Sequence, residues 1–198
     1  MSINAYVSSY LAKDYHTETA GTAIDETVPG QNGKRLALVG FDYTNAATAH
    51  TLCVMHCGSS SGSRNTTSAT AAITQKVMNV TNAPLSPAGD AVASGDIIAY
   101  QVTGGTWEFN TVDSLSTLAI TLTTNIAIAV EAGAAVRVFG IIGDGATFNF
   151  GLAASVTTHY DDTILCQAPF VGDPLYVSEA NGTNAGFLNN MLFAYINK

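Results

Sequence analysis

Between His50 and Cys57 the chain reads HTLCVMHC, two histidines and two of its three cysteines within eight positions. Imidazole nitrogen and thiolate sulfur are the usual ligands of tetrahedral zinc, and an activated thiol is also a nucleophile or redox centre. Which chemistry is available depends on the backbone beneath. A helix over NAATAHTLCVMHC, ending at Gly58, would line up His50, Cys53 and Cys57 with His56 nearby as a ligand set. A strand would instead put His50, Leu52, Val54 and His56 on one side and Thr51, Cys53, Met55 and Cys57 on the other. Cys53 would then lie about 13 Å from Cys57 at about 3.3 Å per residue, too far to share one ion. The β-branched and turn-rich surroundings favour the strand, and downstream only His159 and Cys166 remain to add ligands. The expectation is buried cysteines, with no metal and no cofactor.

Other candidates are thinner. GSSSG (residues 58–62) matches the nucleophile-elbow pattern with Ser60 at its centre, and Asp144 and His159 follow in the order of that triad. An elbow needs a parallel sheet between helices, whereas GSSSGSRNTTSAT reads as a low-complexity surface loop. Asp144 in GDG, Asp161 and Asp162 in HYDD, and Asp173 in GDPLY could supply oxygens to calcium, but no spaced ligand motif joins them. Glu108 beside Trp107 is a lone carboxylate on a hairpin. Asn65, Asn79 and Asn181 sit in N-x-T sequons, which carry meaning only in a secreted chain. No catalytic residue is assigned, and the chain is expected not to be an enzyme.

The elements that must position these residues read as strands. Charged residues are only 11% of the chain, against roughly 25% in typical soluble domains. Thr, Ser, Asn and Gly must cover the surface, and they favour strands and turns over exposed helices. In TLAITLTTNIAIAV (117–130) Leu118, Ile120, Leu122, Ile126, Ile128 and Val130 share one parity, the period-two mark of a half-buried strand or of two strands joined by a bend. EAG then turns the chain into AAVRVFGII (134–142), a predicted hairpin. Gly104 and Gly105 mark a second hairpin in IIAYQVTGGTWEFNTV, QNGK a third between 23–28 and 35–43, and Asn181 and Gly182 a further turn. Turns about every ten residues fit a sandwich or barrel. Ile3, Tyr6, Val7, Tyr10 and Leu11 also fit one face of a short helix, and residues 68–80 and 187–196 admit helical stripes as well. The predicted fold is all-β, an antiparallel β-sandwich or jelly-roll-like body over 21–198 as one domain, with 1–20 as an N-terminal arm or short helix.

Seven basic against fifteen acidic residues give a net charge of −8 and a pI near 4.6. Direct binding to nucleic acid or anionic lipid is not expected. The first residues lack a basic segment followed by an apolar one, and no apolar run spans a bilayer, so secretion through a signal peptide and membrane insertion are not expected either. Three cysteines fit a reducing compartment. Few charges and apolar strands leave little protection against edge-to-edge association, which favours an oligomer or a lattice component.

The Ala/Thr/Gly/Asn-rich texture, with GFDYTNAATAHTLCVM (40–55) and PLSPAGDAVASGDIIAYQV (84–102), resembles small structural proteins of tailed-bacteriophage virions, in particular capsid decoration or cement proteins. The resemblance covers about half the chain. It implies an all-β body, a trimer or dimer, made in the host cytoplasm and placed on the capsid surface, with the major capsid protein as partner and no catalytic residues. The N-terminal segment with Tyr6, Tyr10 and Leu11 would reach a neighbour. A different reading is a tail or fibre module that binds glycan or a host surface, with Trp107 or Tyr160 as stacking platform.

Overall fold

The computed structural model describes residues 7–13, 25–44, 50–141, 147–152, 157–160, 165–179 and 187–197, with side chains within 28–41, 53–141, 165–178 and 191–196. Strands and turns account for all of them. No helix occurs among the described residues, and none is therefore long and apolar enough to cross a membrane. The chain divides into two compact units, one formed by Met1–Val54 with Phe148–Lys198 and the other by Met55–Thr147.

The first unit is a β-sandwich. One sheet is ordered β1 (Val7–Lys13), β15 (Phe187–Asn197), β3 (Lys34–Thr44) and β12 (Thr157–Tyr160), with β13 (Cys166–Gln167) also paired to β3. The other is ordered β11 (Thr147–Leu152), β4 (His50–Met55), β14 (Leu175–Glu179) and β2 (Asp25–Val28). Alternation explains the core between them: Leu36, Leu38, Met191 and Phe193 from one sheet meet Val28, Val54, Leu175 and Val177 from the other, all buried. The described registers are antiparallel.

The second unit is one curled sheet, ordered β5 (Arg64–Thr66), β10 (Ala135–Gly140), β7 (Ile97–Gln101), β8 (Trp107–Ser116), β9 (Ala119–Leu122) and β6 (Val77–Asn79). Its two outer strands are tied by an antiparallel bridge between Thr67 and Val80, with Ser68 N donating to the Asn79 carbonyl and Thr81 N to that of Thr66, both at 2.9 Å. Curling wraps a separate core of Met78, Ile98, Tyr100, Val112, Ile120, Leu122, Val136 and Val138. Such closure removes the unpaired edge that an open sheet presents.

Several local expectations are corrected. Residues 7–13 form a strand rather than a helix, because the free edge of β15 satisfies their backbone while a dozen-residue helix is marginal in isolation. The C-terminal stripe is likewise β15, a central strand paired on both sides. Within 68–80 only Val77–Asn79 is strand; Ala71 and Val80 make isolated β-bridges, and the remainder is turn, bend or irregular. QNGK does turn the chain, with Gly33 at φ +75° and Lys34 N donating to Gln31 O at 3.1 Å. The strands it joins lie in different sheets, however, so it is an arch and not a hairpin. The 117–130 run and the 134–142 run are not paired to each other, since β10 lies between β5 and β7. The Gly104–Gly105 hairpin forms as expected, joining β7 to β8 with φ of +99° and +81°. Asn181 and Gly182 lie outside the described residues.

Candidate functional site

His50–Met55 is strand β4, so the i, i+3, i+7 spacing that a helix would align shares no face. Cys53 and Cys57 are fully buried. His56 is half-buried, and its Nδ1 donates to the Cys57 carbonyl at 2.9 Å. The His50 side chain lies outside those described. Cys166, opposite Leu38 on β3, is 4% exposed, and burial pushes its thiol up to about 12, which suppresses thiolate chemistry at neutral pH. Among the described residues no group of three His, Cys, Asp or Glu side chains could hold a metal ion.

The GSSSG segment is a compact surface turn held by hydrogen bonds. Ser63 Oγ donates to the carbonyls of Leu85 and Ser86 at 2.9 and 3.0 Å, so the Ser60 hydroxyl must be the donor in their 3.0 Å contact. Ser60 Oγ also accepts from Ser63 N at 3.1 Å. Its glycines serve close approach: a Cβ on Gly58 would sit 2.8 Å from Pro87 Cα, and one on Gly62 2.6 Å from the Ala83 carbonyl. The turn leads into β5 and not into a helix, so no elbow is built. His159 belongs to β12 of the sandwich unit, and Asp144, Asp161 and Asp162 lie outside the described residues. Asp173 is buried at 1% exposure.

Trp107 and Glu108 open β8. The Arg137 guanidinium reaches across Ala99 of β7 and lies 5.6 Å from the centroid of the Trp107 ring, a cation–π distance. Arg137 also donates to the carbonyls of Val136 at 2.9 Å and Asn65 at 3.3 Å. The buried indole Nε1 of Trp107 finds no acceptor among the described residues. Burial raises the Glu108 carboxyl above its ordinary range, and the Tyr100 hydroxyl is raised chiefly by burial. Tyr10 and Leu11 lie on β1 opposite Ala194 and Phe193, and Tyr160 lies on β12; their side chains, like all of Tyr6, fall outside the description.

Two buried asparagines do structural work that sequon counting overlooks. Asn65 donates from Nδ2 to Asn82 O at 2.8 Å, while its Oδ1 accepts from the backbone of Thr66 at 2.9 Å and of Asn82 at 3.1 Å. Asn110 likewise holds Thr111, Thr123 and Thr124. A cleft of about 260 Å³ lies between the Gly104–Gly105 turn and Glu131–Ala134, and Thr103, one of its lining residues, donates from Oγ1 to Ala129 O at 2.9 Å. Glu131 is its single titratable lining residue, so it gathers no paired acid and base.

The feature that sequence reading missed is a two-stranded ribbon on the curled sheet. Residues 71–80 run antiparallel beside 118–130: Val80 N bonds to Leu118 O, Leu122 N to Lys76 O, Ile126 N to Gln75 O, and Ala71 and Val130 bond to each other. Ala71, Met78, Val80, Ile120, Leu122, Ile126 and Val130 face the core. Ile73, Val77, Leu118 and Ile128 remain 56%, 44%, 36% and 45% exposed. Alternation gave no sign of this, because Leu118 and Ile128 share the parity of the buried Ile120, Leu122, Ile126 and Val130 and were expected on the same buried face.

No protein-family model matches the chain, and no curated protein is significantly similar to it. Among solved structures it aligns with a chain of the VP16-VP17 complex, a complex of the two major capsid proteins of bacteriophage P23-77. The alignment covers 95% of this chain and 98% of that one at 12% identity, and its TM-score of 0.18 carries no argument about fold or function.

Proposed function

We propose that this chain is a structural virion protein that binds the outside of an assembled phage capsid and stabilises it by bridging capsid subunits, without catalysis. The observation that carries this reading is the ribbon: four large apolar side chains stand exposed within 71–80 and 118–130, 23 residues whose single charged side chain is Lys76. A surface of that composition suits association better than solvation. The resemblance of residues 40–55 and 84–102 to decoration proteins supplies the partner, the major capsid protein, and the virion as location. The mechanism is linkage: a protein that binds only the assembled shell stabilises it by mass action, and bridging several subunits multiplies a modest affinity per contact.

The test is sedimentation of the purified protein with empty, expanded phage capsids. Pelleting at a fixed stoichiometry that saturates, with a rise in the temperature at which the shells fall apart, is the expected result. Protein that stays in the supernatant at all ratios refutes the reading for those shells.

A further inference from the structure

The curled sheet repeats itself. Asn110 lies 45 residues after Asn65, Ile120 lies 42 after Met78, and Val136 lies 38 after Ile98. With those three offsets β5 falls on β8, β6 on β9 and β7 on β10, and the closed strand order is unchanged by the exchange. The register obeys it as well. Asn65 pairs with Val136 as Asn110 pairs with Ile98, and Thr67 bridges Val80 as Val112 pairs with Leu122. Between β7 and β10 the pairs Val136 with Tyr100 and Val138 with Ile98 change places, while Ala99 with Arg137 maps onto itself. Between β6 and β9 the pairs Val77 with Thr121 and Asn79 with Ala119 change places about Met78 with Ile120. Halves that exchange in this way are related by a two-fold rotation.

Regular ladders of a closed antiparallel sheet could coincide without any kinship, but the irregular bonds coincide too. Asn65 donates from Nδ2 to Asn82 O and accepts at Oδ1 from the amides of Thr66 and Asn82; Asn110 does the same with Thr124 O and the amides of Thr111 and Thr124. Val80 N to Leu118 O has its counterpart in Leu122 N to Lys76 O, and Thr81 N to Thr66 O in Thr123 N to Thr111 O. Gly95 N to Val112 O is matched by Gly133 N to Thr67 O, with both glycines at positive φ, +95° and +83°. Buried equivalents are kept apolar, as in Val80 and Leu122, Ile98 and Val136, Met78 and Ile120. Exposed or half-buried equivalents diverge, Lys76 against Leu118 and Arg64 against Phe109. Because the offset drops from 45 to 42 to 38 along the chain, no fixed period announces the repeat in the sequence.

We propose that the second unit is two copies of one three-stranded module joined in a single chain, and that the partner each module is built to meet is a second copy of itself. The contact surface is the pair of seams β7 with β10 and β6 with β9, where each module supplies the same strands to the other, as a two-fold interface requires. A module of about 40 residues buries too little to stand alone, and its open edges need pairing. The Gly104–Gly105 hairpin joins the copies, so that their association becomes an intramolecular step. The proposal is independent of the capsid reading.

The test is made in the full chain, with residues 63–101 replaced by a second copy of 108–139 so that one module meets itself. The amide spectrum by nuclear magnetic resonance is expected to stay dispersed, with the signals of the two copies falling together in near-coincident pairs. A folded variant whose copies give two unrelated sets of signals overturns the proposal. Should the replacement not fold, a smaller graft and the wild type decide. The graft puts 119–124 in place of 77–82, and its control, displaced by one residue, puts 118–123 there. The graft in register is expected to keep a cooperative thermal transition and the displaced one to lose it, because the shift turns every side chain to the opposite face. A graft in register that unfolds as the displaced one does overturns the proposal. In the wild type, hydrogen exchange is expected to protect the amides of Val80 and Leu122, of Thr81 and Thr123, and of Gly95 and Gly133 to within about tenfold of each other. Matched amides outside that range overturn it as well.

Discussion

At the scale of single residues, Ser60 and Cys166, which looked reactive, are used to hold the fold. Ser60 caps its own turn, and Cys166 sits against β3 with its thiol pushed up to about 12. The sign of the second effect is definite. A thiol whose folded-state value is raised from 9.0 to about 12 keeps its proton in the folded chain while the unfolded chain loses it, so its contribution to stability is full below pH 9 and is lost as pH rises toward 12. Stability measured by urea melts should fall over that window at up to about 1.4 kcal/mol per pH unit, and Cys166→Ala should flatten part of the fall. Tyr195, also raised by burial, works in the same direction. Gly30 illustrates a residue chosen for approach, because a Cβ there would run into the backbone of Gly172 and lie 2.7 Å from Asp173 C. Gly30→Ala should destabilise by about 3 kcal/mol, read as a lowered denaturation midpoint at unchanged slope. The Gly in QNGK is legible as a turn residue from its dipeptide; Gly30 is not, since its reason is a neighbour more than 140 positions away.

At the scale of elements, apolar parity proved a better guide to burial than to pairing. Ile120, Leu122, Ile126 and Val130 all face the core as their spacing requires, yet the run is regular strand only over Ala119–Leu122 and pairs with β6 and β8. Its partner in 71–80 carries no strong strand signal, because Ala, Thr and Gln read equally as loop. The β8–β9 hairpin turns at Thr117, which adopts φ +55° without being glycine. A β-branched residue there carries about 1–2 kcal/mol of strain, against about 0.4–1 kcal/mol of added unfolded-state entropy for glycine. Thr117→Gly should therefore raise the melting temperature by about 2 °C. An unchanged or lower melting temperature would show that the turn is not strained.

At the scale of the whole molecule, the chain leaves the sandwich after Val54, builds Met55–Thr147 around its own core, and returns at Phe148. In this contiguous unit, whose outer strands are tied by the Thr67–Val80 bridge, the described strands β5 to β10 pair with one another. Expressed alone, Met55–Thr147 should melt cooperatively with dispersed amide resonances, whereas the flanking segments need each other because β1 and β3 both pair with β15. A fragment that is disordered in solution would count against that independence. Composition by itself determined the all-β class, since few charges and many Thr, Ser, Asn and Gly leave little material for exposed helices. Local pattern determined the Gly104–Gly105 hairpin and the burial of Cys53. Tertiary structure alone decided that QNGK links two sheets, that residues 7–13 and 187–197 are strands, and that Asn65 and Ser63 are buried. Each of those outcomes depends on a hydrogen-bonding partner distant in sequence, and propensity within a segment contains no information about that partner.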